Sequence, residues 1–137
     1  YSKNNRDKIN KTRRTYISSE NAKIANLSRC RILLAVKAGG AKKCASTKKL
    51  LGCTIIFYRE YIESKFTKGM TWENQGNVGW HFDHIRPCNS FHLQDPAQQY
   101  ACFNYTNIQP LWATTAIAMS YGEGPEYVGN LEKGGKF

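Results

Sequence analysis

The sequence has 137 residues, the length of one ordinary domain. Apolar residues make up 41% and charged residues 22%, which supports a packed core and excludes a disordered or collagen-like chain. Lys and Arg number 20 against 10 Asp and Glu, a formal net charge of +10, and no apolar run approaches the roughly 20 residues of a membrane span.

The charge is unevenly spread. Residues 1–50 carry 14 basic and 2 acidic side chains, whereas residues 51–137 carry 6 and 8. A segment of +12 ahead of a body of −2 predicts a polyanionic partner, nucleic acid first. A solvated basic tail or an Arg-rich organelle-targeting segment is the plainer alternative. Position 1 is Tyr, which suggests a start that is processed, truncated or incompletely known, and no apolar stretch signals secretion. The five cysteines, Cys30, Cys44, Cys53, Cys88 and Cys102, are odd in number and contain no C-x-x-C spacing. That argues against a structural zinc and against a disulfide framework. Free, inert thiols in an intracellular reducing compartment are expected, with nothing to choose between nucleus and organelle.

In chain order, residues 1–18 are polar and rich in Lys, Arg and Asn, including Arg13 and Arg14, and predict an extended or loosely helical basic arm. Ser18-Ser19-Glu20 then offers a helix start. Ile24, Leu27, Ile32, Leu33, Leu34 and Val36 form its apolar stripe, and Gly39-Gly40 its stop. After a loop, Ser46 or Thr47 caps a short helix through Leu51, closed by Gly52. Thr54 caps an amphipathic helix over 55–66, in which Tyr58 and Tyr61 are expected to be half-buried. Lys42, Lys43, Lys48 and Lys49 around this loop are candidate phosphate contacts. Residues 19–69 thus form a helical region.

A turn-rich stretch precedes an expected strand at 79–85, with Trp80, Phe82 and His84 on one face and His81, Asp83 and Ile85 on the other. Asp95-Pro96 is an N-cap with Pro at the first helical position, opening a helix over 96–103. Residues 107–111 predict a second strand that Pro110 confines to an edge. A helix-like stretch over 112–120 and a Gly-rich loop over 122–129 follow. The three tryptophans are expected to pack the core. The fold class is α+β.

Residues 80–107 carry the chemistry. A neutral histidine can take a proton from water near pH 7. A carboxylate and an amide oxygen are hard ligands suited to Mg²⁺, which neutralises charge on a leaving oxygen. Asp83 beside His84 supplies these parts, although such a pair on a strand is more often an ordinary surface pair.

The wording around them is more specific. Residues 70–112 read MTWEN, then WHFDHIRPC, then CFNYTNIQPLW. This resembles the HNH endonucleases of the ββα-metal type, notably the W-H-x-D-H-I-x-P-C … Y-T-N-L-Q-P-L-W group found in large DNA viruses and phages. The similarity covers most of residues 20–112, including ASTKKLLGC at 45–53. It implies a small ββα-metal core over 70–137 that hydrolyses DNA phosphodiesters with Mg²⁺ or a similar divalent cation. Asp83 matches the metal-ligand Asp, His84 the general base, and Asn107 the middle Asn that clamps the two strands. His81 matches a histidine that contacts DNA or supports the site, and Arg86 stands where a side chain could reach the scissile phosphate.

The third motif residue departs from the pattern. Read without a gap, the second metal ligand falls on Ala116; Asn130, in N-L-E-K-G-G-K, reproduces the family's N-L-x-K-G-x-K with an offset of 14 residues. An insertion near 113–129 makes Asn130 the ligand; a decayed site leaves none. Two functions are therefore expected. One is a metal-dependent endonuclease on DNA, with RNA as the other substrate. The alternative is an HNH-derived subunit that no longer cuts but binds nucleic acid in a larger nucleoprotein assembly, organellar or otherwise.

Overall fold

The computed structural model describes residues 2–133, and the side chains of residues 19–133. It is an α+β domain. Helix α1 runs over Ser2–Ala38, 37 residues and about 55 Å at 1.5 Å per residue. The expected helix start at Ser18–Glu20 is corrected: α1 passes through both serines without a break. Residues 2–18 hold neither Gly nor Pro, so nothing in them stops a helix, and a serine caps only where the chain turns.

The next two helices begin where local chemistry dictates. Ser46 accepts the Lys49 N–H at the start of α2 (Thr47–Leu51), and Gly52 closes it at φ 76°, a conformation that favours glycine. Thr54 accepts the Phe57 N–H at the start of α3 (Ile55–Ser64), which ends two residues before the predicted boundary.

Strand β1 (Trp80–His84) pairs antiparallel with β2 (Ile108–Trp112), in a register that sets Trp80 opposite Trp112 and His84 opposite Ile108. Pro110 lies opposite Phe82; both strands of a two-stranded ribbon are edges, so its missing N–H is tolerated. Between the strands lies α4 (Pro96–Phe103), with Asp95 accepting the Ala97 N–H as its cap. A short 3-10 turn over Tyr105–Asn107 leads into β2. Helix α5 (Thr115–Ser120) follows β2, and a 3-10 turn over Asn130–Glu132 ends the described chain.

The helical region and the strand region share one core. Ile24, Leu51, Tyr58 and Ile62 pack with Met70, Trp80, Phe82, Ile108 and Trp112. Trp80 and Trp112 are 0% exposed, so truncating either to Ala would cost about 3–5 kcal/mol. Tyr58 is not half-buried as predicted but 1% exposed, stacked on Phe82 at 5.8 Å. The α1 stripe consists of Ile24, Ser28, Ile32, Ala35 and Val36, whereas Leu33 and Leu34 face outward. A second cluster joins Ile32, Val36 and Leu50 to Cys88, Cys102 and Phe103. Helices α1 and α3 therefore cover one face of the ribbon and leave the other to the polar residues of β1 and β2.

Candidate functional site

Strand alternation sorts the motif residues. His81 and Asp83 point to the polar face, and His84 points with Trp80 and Phe82 into the core. On the polar face Gln109, the register partner of Asp83, donates its amide to Asp83 Oδ2 at 3.0 Å. The Lys133 ammonium lies 2.9 Å from Oδ1 and 2.8 Å from Oδ2 of the same carboxylate, which is buried. The Asn130 amide nitrogen lies 2.9 Å from Nδ1 of His81. Burial, and then the positive charge of Arg31, hold the His81 imidazole below its ordinary pKa, so it is neutral and able to accept that bond.

Asn130 reaches this face because the chain after α5 folds back. Tyr121 stacks on Trp112 with ring centroids 4.3 Å apart and planes at 4°. The Tyr127 hydroxyl accepts the Trp112 N–H at 2.9 Å, and its carbonyl accepts the Thr115 hydroxyl. Glu132 accepts both the Thr115 N–H and the Thr115 hydroxyl, and the Leu131 N–H donates to the Ala113 carbonyl at 2.9 Å. These bonds fasten residues 127–132 alongside the end of β2. Ala116, the ungapped alternative to Asn130, lies on α5.

Asn107 joins three segments. Its Oδ1 accepts the Arg86 N–H at 2.9 Å, and its Nδ2 donates to the carbonyls of Arg86 and Cys102 at 3.1 and 2.9 Å. The Ile85 N–H donates to the Asn107 carbonyl. The Arg86 side chain folds back instead of projecting outward. Its Nε and Nη2 donate to Ser90, and its guanidinium sits 4.0 Å over the Phe91 ring.

The lysines divide. Lys42, Lys48 and Lys49 are exposed, while the Lys43 ammonium donates to the Thr47 hydroxyl at 2.8 Å. Buried Gln99 holds their loop by accepting the Cys44 N–H and donating to the carbonyls of Lys42 and Leu93. Arg13 and Arg14 lie in the part of α1 whose side chains are outside the described residues.

His84 has different company from the one its motif position implies. Its ring packs edge-on against Phe103 at 5.9 Å. It shares a buried cluster with Cys88 and Cys102, whose sulfurs are 3.4 Å apart with Cys102 donating. That bond, then His84 and the Arg31 guanidinium, pull the Cys88 thiol well below the usual range against the opposing effect of burial. The Cys102 thiol is raised for the reciprocal reason. The sequence had no signal for this cluster. Its members come from β1, the turn after it and α4, with none of the C-x-x-C spacing that marks a metal site. Gln109 was missed as well, since only the strand register puts it beside Asp83.

No family model matches the chain, and no solved structure does. It is 36% identical over 112 residues to the uncharacterized protein L426 of Acanthamoeba polyphaga mimivirus, an alignment covering 81% of this chain and 48% of that one. It is 42% identical over 66 residues to the uncharacterized protein L246 of the same virus, covering 48% of this chain and 29% of that one. The chain thus spans about half the length, or less, of the curated relatives it matches.

Proposed function

We propose that the protein is an HNH-type nuclease that hydrolyses nucleic-acid phosphodiesters, DNA first, with a divalent cation held on the polar face of β1 and β2. The observation that supports this is the contact of Asn130 with His81, the strand neighbour of Asp83 on the same face, despite the 14-residue displacement of the third motif residue. The donor set fits the ion. Asp83 and Asn130 offer hard oxygens suited to Mg²⁺. Asp83 and Asn130 would hold the cation, which supplies Lewis-acid stabilisation of the leaving oxygen.

Taking the proton from the attacking water falls to an imidazole. The resemblance assigns it to His84; His81, which shares a face with Asp83, is the second candidate. Asn107 keeps the end of β1 in register with β2. Basic helix α1 and the exposed Lys42, Lys48 and Lys49 supply sequence-independent attraction to the phosphate backbone.

A supercoiled-plasmid nicking assay with Mg²⁺ tests the reading. Wild type is expected to nick, Asp83→Asn to be inactive, and the true base to lose about 10²–10⁴-fold on substitution by Ala, which decides between His81 and His84. Binding that is salt-sensitive but accompanied by no nicking in wild type would overturn the nuclease reading. It would leave the non-cutting nucleic-acid-binding subunit in its place. The Lys133 contact with both Asp83 oxygens is the observation that favours this second reading.

A further inference from the structure

The buried cluster of His84, Cys88 and Cys102 is separate from the oxygen-rich face described above. Their ligand atoms all lie within 4.8 Å of one another, and the three side chains are 7%, 3% and 0% exposed. Both ring nitrogens of His84 are shielded from solvent without a hydrogen bond of normal geometry, although a buried imidazole ordinarily finds a partner for each.

We propose that His84, Cys88 and Cys102 form a soft-metal site that binds one Zn²⁺ ion. Two thiolates and an imidazole are the donors this borderline-soft ion selects, and they differ in kind from the Asp and Asn oxygens on the other face. The dimensions agree. Two sulfurs at about 2.3 Å from a tetrahedral Zn²⁺ stand about 3.8 Å apart. The sulfurs here, at 3.4 Å, need only separate by a few tenths of an ångström. Zn²⁺ would tie together the end of β1, the turn after it and α4; Asn107 bonds to that same turn and to the last turn of α4. A cavity of about 200 Å³ lined by Ala35, Gly39, Cys88, Asn89 and Leu93 borders Cys88. Zn²⁺ on His84 also removes that imidazole from proton transfer. The two metal classes would then have separate seats, and the base of the nuclease reading would be His81. The site itself does not depend on that reading.

The test is a titration of the reduced, chelator-stripped full chain with Zn²⁺, and with Co²⁺ as a spectroscopic substitute. One equivalent of Co²⁺ is expected to give thiolate-to-cobalt charge-transfer absorption that Zn²⁺ abolishes. Cys88→Ser and Cys102→Ser should each lose it, and the triple variant C30S/C44S/C53S should keep it. His84→Ala is expected to weaken Zn²⁺ binding beyond the roughly 10–100-fold that losing a supporting outer group costs. Because the serine variants could fail to fold, a second measurement uses wild type alone: at a urea concentration where the metal-free chain opens enough for both buried thiols to be alkylated, bound Zn²⁺ should slow labelling of Cys88 and Cys102, but not of exposed Cys30 and Cys44, read by peptide mass. Absence of stoichiometric binding to wild type, or unchanged alkylation of Cys88 and Cys102 with Zn²⁺ present, would overturn the proposal.

Discussion

The amide nitrogen of Asn130 lies 2.9 Å from Nδ1 of His81, across 49 positions of chain. The contact depends on Gly129. A Cβ built there would stand 2.4 Å from Thr114 Cα and 2.5 Å from Thr114 C, and backbone atoms cannot move aside as a flexible side chain can. Gly129→Ala should therefore push residues 129–132 off the end of β2 and pull Asn130 away from His81. The expected loss of stability is about 1–3 kcal/mol, the usual effect of overpacking. It is read as a lower urea midpoint, together with a shift of the His81 ring signals in NMR. Val128→Ala, one residue earlier and 54% exposed, should change neither.

Asn107→Ala should act at a distance. The substitution removes one acceptor for the Arg86 N–H and two donations, to the carbonyls of Arg86 and Cys102. Water can replace part of this at a half-exposed residue, so about 2 kcal/mol of stability is expected to go rather than the full sum of three bonds. Both β1 and α4 lose their tie, so the variant should also bind Co²⁺ more weakly at the Cys88–Cys102 pair. A denaturant titration and a cobalt titration on the same preparation check both effects. Unchanged cobalt affinity would mean that Asn107 does not position the cysteines.

How much of this was readable in advance follows from the range of each interaction. The caps at Ser46, Thr54 and Asp95 are bonds spanning two or three residues, and α2, α3 and α4 begin where those side chains predict. The alternation WHFDH separated the core face from the polar face because a strand's period is exact. The length of α1 was hidden, since its first half is polar all round and shows no apolar period to recognise. Tyr58 looked amphipathic on its own helix; its burial comes from residues elsewhere in the chain, Phe82 and Ser28 among them. The pairing of Cys88 with Cys102 and the approach of Lys133 to Asp83 arise from how α4 and the final turn fold back, which no local pattern encodes.

Lys133→Ala should strengthen the response to divalent cations. The ammonium contacts both oxygens of a carboxylate that is 6% exposed, so an incoming ion must displace it. The lysine side chain is 30% exposed, and a partly solvated pair of this kind is worth at most about 1 kcal/mol, or roughly a fivefold change in affinity. Isothermal titration with Mg²⁺ is expected to show tighter binding in the variant, and melting experiments a larger stabilisation by Mg²⁺. Equal affinity in the two proteins would mean that the cation does not use Asp83. Asp83→Asn should abolish the difference.

The last prediction concerns alkaline pH. Burial, opposed by the charge of Arg31 and a hydrogen bond to Ser28, raises the Tyr58 hydroxyl well above its ordinary value of 10.0. Above about pH 10 the unfolded chain gives up this proton while the folded chain keeps it, so the unfolded state binds fewer protons and stability falls as pH rises. Below that pH both states are protonated and the contribution is intact. The slope attributable to this one group reaches about 1.4 kcal/mol per pH unit at most. Tyr58→Phe removes the titration. It is expected to lower the urea midpoint slightly at pH 7, where the bond to Ser28 is lost, and to flatten the decline from about pH 10 upward. Parallel slopes for the two proteins would show that Tyr58 is not what makes the fold alkali-sensitive.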